Sequence, residues 1–367
     1  MSGRLALFLP SLTAGGAEQV MVTLAGELAA AGESADLVLA SSEGPLRRRV
    51  PEAVRLVDLR AGRTLTSLPA LAGYLRRERP QALLAAMDHA NLVALAARTL
   101  ARVPTRVVPS VHSLPSRNLG RSPRMRDRLI RRLLGRVYRA TPCLVAVSTA
   151  VAQELETLLG IPPERIRVIP NPVVTRDLRS LSEAPSPHPW LNPGEPPLVL
   201  GVGRLSPVKD FATLIRAFGR VRESRPARLV VLGEGPERGE LEALVRYLAL
   251  QRHVALPGYT DNPYPWMRRA SVLALSSRWE GLGNVLIEAM ACGTPVVSTR
   301  CPGGPAEILG NGRFGELVPP GDPDALADAI LRTLDGPPDP DLLRARAAAF
   351  SAPAAASRYL QLLKTGD

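Results

Sequence analysis

Short apolar runs alternate with longer segments of helical period along the whole chain. In the first half the runs are 5–10, 36–40, 82–86, 106–111, 143–148 and 167–170. Each is nearly continuous in apolar residues, the pattern of strands buried on both faces, and the helical segments between them supply the crossovers of a parallel α/β sheet. The alternation stops between Arg176 and Pro197, where Pro185, Pro187, Pro189, Pro193, Pro196 and Pro197 remove the backbone donors that a helix or inner strand needs. It restarts at 198–202, 228–232, 254–256, 271–275 and 295–299. The expectation is two Rossmann-like, doubly wound α/β domains, residues 1–175 and 198–340, joined by a Pro-rich linker at 176–197. A final helical segment within 341–367, from about Leu342 to Leu363, follows the Pro-rich stretch 335–340 and is expected to pack back across the domains.

Composition narrows the class. A chain of 367 residues exceeds what one core usually serves, in keeping with two domains. Cys143, Cys292 and Cys301 are odd in number and form no C-x-x-C pair. Neither a disulfide framework nor a structural zinc site is therefore expected, and the expected setting is reducing and cytoplasmic. The apolar stretch at 5–9 stops at Pro10, too short for a signal-peptide core. No apolar run approaches the roughly 20 residues that span a bilayer. The net charge of +12 favours anionic partners, but aromatic residues are only 4% of the chain, so base-stacking platforms and nucleic-acid binding are not expected.

One segment concentrates the charge. Arginines at 121, 124, 126, 128, 131, 132, 136 and 139 accompany Leu129, Ile130, Leu133, Leu134, Val137 and Tyr138 at helical spacing. This basic amphipathic helix reads as a core helix of the first domain, as a surface for an anionic membrane, or as both.

In doubly wound sheets ligands bind beyond the carboxyl ends of the strands, so the residues just after each apolar run are the candidates for chemistry. After the first run come Gly15 and Gly16 at the start of a helix, either an anion site built on helix N–H groups or a plain turn. The second domain opens with Gly201-Val202-Gly203-Arg204, then Lys209. A dinucleotide fingerprint would need glycine at 206, where Ser206 stands, but Arg204 and Lys209 remain as two cations suited to a diphosphate. Lys209 and Lys364 are the chain's only lysines. The segment from Ser276 to Met290 places Glu280 on a loop and Glu288 within a helix that begins near Gly283 or Asn284. The two carboxylates can thus address different parts of one extended ligand, with helix N–H groups between them for a phosphate. Asp322-Pro323-Asp324 reads as a helix start, with Asp322 as the cap and Pro323 at the first position, rather than as a metal-binding D-x-D. No cluster of metal ligands is visible among His89, His112, His188 and His253.

With these residues in view, the chain resembles family 4 of the retaining glycosyltransferases. Glu280 to Glu288 is similar to that family's E-x7-E motif, and the likeness extends through Gly15-Gly16-Ala17-Glu18, Val111-His112, Ile169-Pro170-Asn171-Pro172, Gly233-Glu234-Gly235 and Ala291-Cys292-Gly293-Thr294-Pro295. Cys301-Pro302-Gly303-Gly304-Pro305 looks like a variant found in members that extend lipid-linked or surface polysaccharides. The resemblance implies the GT-B fold, two Rossmann-like domains facing a central cleft, and a nucleotide diphosphate sugar, UDP-linked by expectation, as donor. It implies that Arg204 and Lys209 hold the diphosphate, that Glu288 binds the ribose, and that Glu280 and His112 face the transferred sugar. Gly15, Gly16, Gly203, Gly258, Asn284 and Val285 then approach the donor through backbone. The acceptor is expected to be a glycan or a lipid-linked glycan, with an anionic membrane surface as a candidate partner. No cofactor or metal is expected. Two other readings stay open: a sugar-nucleotide epimerase or phosphorylase on the same fold, and a non-catalytic, basic membrane-binding protein.

Overall fold

The computed structural model describes residues 3–13, 15–118, 132, 134–186 and 188–365. The chain divides into two compact units, Met1–Val173 with Phe350–Asp367, and Val174–Ala349. The first holds strands β1 (Leu5–Leu9), β2 (Ala35–Leu39), β3 (Arg55–Asp58), β4 (Ala82–Ala86), β5 (Arg106–Val111), β6 (Leu144–Ala146) and β7 (Ile166–Val168). They lie in the order β3-β2-β1-β4-β5-β6-β7, and every pairing is parallel. Strand β1 shows why the apolar runs are continuous. Leu5, Leu7 and Leu9 enter one core with Leu24, Leu28 and Leu84, while Ala6 and Phe8 enter another with Tyr74, Leu83 and Val93.

The second unit holds β8 (Leu198–Val202), β9 (Arg228–Leu232), β10 (Val254–Gly258), β11 (Val272–Leu275), β12 (Val296–Thr299) and β13 (Glu316–Val318). Their order, β10-β9-β8-β11-β12-β13, is again all parallel and reverses direction between β8 and β11. Doubly wound sheets bind ligands outside the strand ends at this kind of reversal. Helix Phe211–Ser224 covers one face through Phe211, Leu214 and Phe218, beside Leu326 and Ile330 of helix Pro323–Asp335. The latter helix starts as expected: the Asp322 carboxylate accepts from the backbone N–H groups of Asp324 and Ala325, each at 3.0 Å.

The structure differs from the sequence expectation at several places. Strands β3 and β13, both at sheet edges, lack an apolar run of their own, because these short segments mix Arg55, Asp58 and Glu316 with the apolar residues. The segment 176–197 is part of the second unit and not a free linker. It forms helix Leu178–Ser182 and a 3-10 turn at Pro189–Leu191. Asn262 donates to the Leu181 carbonyl and Arg269 to that of Ala184, fixing the segment in place. The last helical stretch is two helices, Pro340–Ala348 in the second unit and Ala352–Thr365 in the first. Pro353 separates them, since its ring would clash with the carbonyl of Ala349 in a continuous helix. The final helix buries Tyr359, Leu362 and Leu363 in the core of the first unit, against Leu5 and Leu84.

Most of the basic segment at 121–139 lies outside the described residues; within the described part, Leu134 and Tyr138 are buried. No helix among the described residues is long and apolar enough to cross a membrane. The three cysteines are free and buried.

Candidate functional site

The site of the second unit is assembled where the sheet reverses. Three loops, after β8, β11 and β12, meet there. The loop after β8 carries Gly203, Arg204 and Lys209; that after β11 carries Ser276, Ser277, Arg278 and Glu280; that after β12 carries Pro302, Gly303 and Gly304. The Lys209 ammonium lies 2.6 Å from Oε1 of Glu280, and the Ser277 hydroxyl donates to the same oxygen at 2.6 Å. Both partners are largely shielded, with 22% of the Lys209 side chain and 11% of the Glu280 side chain exposed. Charges in such a setting interact more strongly than on an open surface.

Backbone contacts hold the loops together. Ser276 donates its hydroxyl to the Lys209 carbonyl at 2.8 Å, and the Arg278 N–H bonds the Val208 carbonyl at 2.8 Å. The Arg278 guanidinium pairs with the buried Asp210 at 3.0 Å. Asp210 has φ of 48° in the left-handed region, an uncommon conformation for a non-glycine residue, at the turn into helix Phe211–Ser224. The Glu280 N–H bonds the Pro302 carbonyl at 3.0 Å. Gly303, with φ of +121°, lies so close that a Cβ there would overlap the Glu280 carbonyl oxygen. The strand-end loops also bond in series: Gly203 N–H to Leu232, and Gly233 N–H to Gly258. Gly233, at φ +141°, has no room for a Cβ beside the Gly203 carbonyl.

The other predicted residues fall around this cluster. Arg204 is exposed and has no hydrogen bond or ion pair among the described residues. Helix Asn284–Cys292 starts where the sequence indicates, after Gly283 in the left-handed conformation; Asn284 is half-buried and Val285 buried in its first turn. Glu288 follows one turn later, half-buried. Gly258 closes β10 beside the Glu234 carboxylate, which Arg238 clasps through two nitrogens at 2.9 and 2.5 Å. Among the described residues no group of three or more His, Cys, Asp or Glu side chains comes together.

In the first unit, Gly15 caps helix Gly16–Ala30, but the Glu18 carboxylate folds against Gly15 and accepts from the Thr13 hydroxyl at 2.7 Å. An internal carboxylate therefore lies at the helix start for which an anion site and a plain turn are the two readings. His112 follows β5. Its Nε2 lies 2.8 Å from the Ser110 hydroxyl, and its Nδ1 is buried with no hydrogen-bond partner among the described residues. Burial pushes this imidazole from its ordinary value down to about 4, so it is neutral near pH 7. Nearby, Asn91 donates to the Ser110 carbonyl and to the Tyr138 hydroxyl.

Sequence reasoning singled out both glutamates and both cations but not the contact that joins Lys209 to Glu280, nor Ser277. The one local signal for the latter is proximity: Ser277 stands three residues before Glu280 on the same loop.

Two all-parallel sheets in Rossmann order, with the cationic loop of the second at its reversal point, define the GT-B class of fold. The profile of Glycosyltransferase Family 4 matches residues 14–177, and that of Glycosyl transferases group 1 matches residues 196–336. The lipopolysaccharide core biosynthesis glycosyltransferase LpsE of Rhizobium meliloti is 34% identical over 235 residues, 62% of this chain and 65% of that protein. An N-acetylgalactosamine-N,N'-diacetylbacillosaminyl-diphospho-undecaprenol 4-alpha-N-acetylgalactosaminyltransferase of Campylobacter jejuni is 33% identical over 186 residues, 51% of this chain and 49% of that protein. The chain thus spans about half to two thirds of the length of these curated relatives. The crystal structure of Anabaena HepE in complex with UDP and glucose superimposes with a TM-score of 0.80 at 21% identity, over 99% of this chain and 100% of that one. The chain belongs to the family 4 glycosyltransferases.

Proposed function

We propose that this protein is a retaining glycosyltransferase that moves a sugar from a UDP-linked donor to a glycan or lipid-linked acceptor in cell-envelope polysaccharide or glycoconjugate synthesis. The observation that carries the proposal is the Lys209–Glu280–Ser277 cluster at the reversal of the second sheet, with the Arg204 guanidinium exposed in the same loop. Supporting it are the relatives: LpsE is named for lipopolysaccharide core synthesis, the Campylobacter enzyme for a diphospho-undecaprenol substrate, and HepE is seen with UDP and glucose.

In the proposed reaction the bond between the anomeric carbon and the diphosphate breaks, and its electrons pass to the leaving phosphate oxygen. Arg204, Lys209 and the first N–H groups of helix Asn284–Cys292 are charges and dipoles suited to that growing negative charge, which is stabilised more in the transition state than in the bound donor. The acceptor oxygen forms the new bond on the same face, and its proton passes to the leaving phosphate. Glu288 is assigned to the ribose hydroxyls, Glu280 to the transferred sugar, and neutral His112 to hydrogen bonding with sugar hydroxyls. The proposed reaction uses no cofactor and no metal. The test is a mass-spectrometric screen of nucleotide sugars against glycan and lipid-linked oligosaccharide acceptors. Transfer from a UDP-sugar with retained anomeric configuration is expected, and absence of transfer from every donor would refute the proposal.

An anionic membrane surface is proposed as a partner of the arginine-rich segment 121–139, each arginine adding about 1 kcal/mol of attraction. Flotation with anionic liposomes at low salt is expected to carry the protein. High salt, or exchange of Arg124, Arg126, Arg128 and Arg131 for glutamine, is expected to release it. Binding indifferent to both would show that the segment is not a membrane surface.

A further inference from the structure

The Glu280 carboxylate receives two donors on one oxygen. Lys209 Nζ and Ser277 Oγ each reach Oε1 at 2.6 Å, whereas Oε2 accepts no hydrogen bond among the described residues. The two donors differ in kind. The ammonium has further N–H groups and sits on a flexible stem in the loop assigned to the diphosphate, so an anion there competes with Glu280 for it. The Ser277 hydroxyl is wholly buried and faces no such competitor. Its backbone is fixed in turn: Thr299, at the end of β12, donates its hydroxyl to the Ser277 carbonyl at 2.6 Å. Glu280's own backbone is pinned by its bond to Pro302 and by the close approach of Gly303. A glutamate has three side-chain torsions to settle, and a fixed loop alone does not settle them.

We propose that Ser277 is a positioning residue for sugar transfer: its hydroxyl anchors Oε1 of Glu280, so that Oε2 is the oxygen presented to the transferred sugar whatever Lys209 is bound to. This rests on the assignment of Glu280 to the donor sugar. Ser277 touches no reacting atom in this scheme and acts only through Glu280. A carboxylate displaced by a fraction of an ångström to an ångström loses the orientation on which the rate depends, at a cost of up to about a hundredfold.

The experiment combines kinetics with lysine spectroscopy. Ser277→Ala is expected to lower kcat by about 10- to 100-fold while the affinity for UDP, measured by calorimetry, stays within about twofold. Ser277→Cys, nearly the same size but a weak donor, is expected to fall between alanine and serine. Because Lys209 and Lys364 are the only lysines, the ¹⁵N-labelled side chains give two ammonium signals, and Lys364, paired with Glu33 in the first unit, serves as the internal reference. Without any donor present, Ser277→Ala is expected to shift or broaden the Lys209 signal, as Glu280 gains freedom, and to leave that of Lys364 unchanged. Wild-type kcat in both variants, UDP affinity falling in step with kcat, or an unmoved Lys209 signal overturns the proposal. If the wild type neither binds UDP nor transfers sugar, the donor reading fails instead, a result the lysine spectra of the protein alone keep distinct.

Discussion

Arg204 and Lys209 share a loop but not an environment, and the consequences of removing them differ. Arg204 is exposed, so Arg204→Ala removes the charge proposed to face the leaving group with little effect on folding; turnover at saturating donor is expected to drop about 10²-fold. Lys209→Ala also leaves the shielded Glu280 without its cation, and a larger loss is expected. Near-wild-type turnover in both variants would remove this loop from the reaction. The glutamates divide similarly. Glu288→Ala is expected to weaken UDP binding in calorimetry, and Glu280→Ala to lower kcat with UDP affinity largely retained; equal losses of affinity would contradict the assignment. His112 adds a pH dependence. With its folded-state value near 4 and an ordinary value of 6.5 when unfolded, the unfolded chain takes up the proton first. Its contribution to stability is therefore complete above about pH 6.5 and is lost as the pH falls toward about 4. The melting temperature of the wild type should fall more between pH 7 and 4.5 than that of His112→Gln, and parallel curves would show that the ring is not held neutral by burial.

At the scale of elements, the strands with both faces buried were legible because each writes a continuous apolar run, as at Leu5–Leu9 or Leu198–Val202. Edge strands β3 and β13 were not, since a half-exposed strand mixes Arg55, Asp58 and Glu316 with its apolar residues. The start of helix Asn284–Cys292 could be read from Gly283, and that of Pro323–Asp335 from Asp322, because caps are local chemistry. The Lys209–Glu280 contact joins residues from separate strand ends, and no local pattern records it. The final helix was legible as a helix, but not its membership of the first unit. Its removal by truncation before Phe350 is expected to strip Tyr359, Leu362 and Leu363 from that core, each worth about 2–4 kcal/mol when truncated to alanine. The truncated chain should show loss of the first unit's cooperative melting transition; an unchanged transition would mean that the helix is dispensable.

At the scale of the whole molecule, the first unit is built from two stretches of chain with the second unit inserted between them at Val174–Ala349. Chains emerge from the ribosome N-terminus first, at about 5–20 residues per second. The last strand of the first sheet is thus synthesised about ten to forty seconds before the helix that completes its core, and the earlier strands longer before; all of the second unit is made in that interval. The part of that core which Tyr359, Leu362 and Leu363 complete stays open during this time, so the nascent first unit carries exposed apolar surface, whereas the second unit has all its parts in one continuous stretch and can fold as soon as it emerges. Codon choice or growth temperature that lengthens synthesis of the inserted unit would therefore lower the yield of soluble protein through the half of the molecule already made.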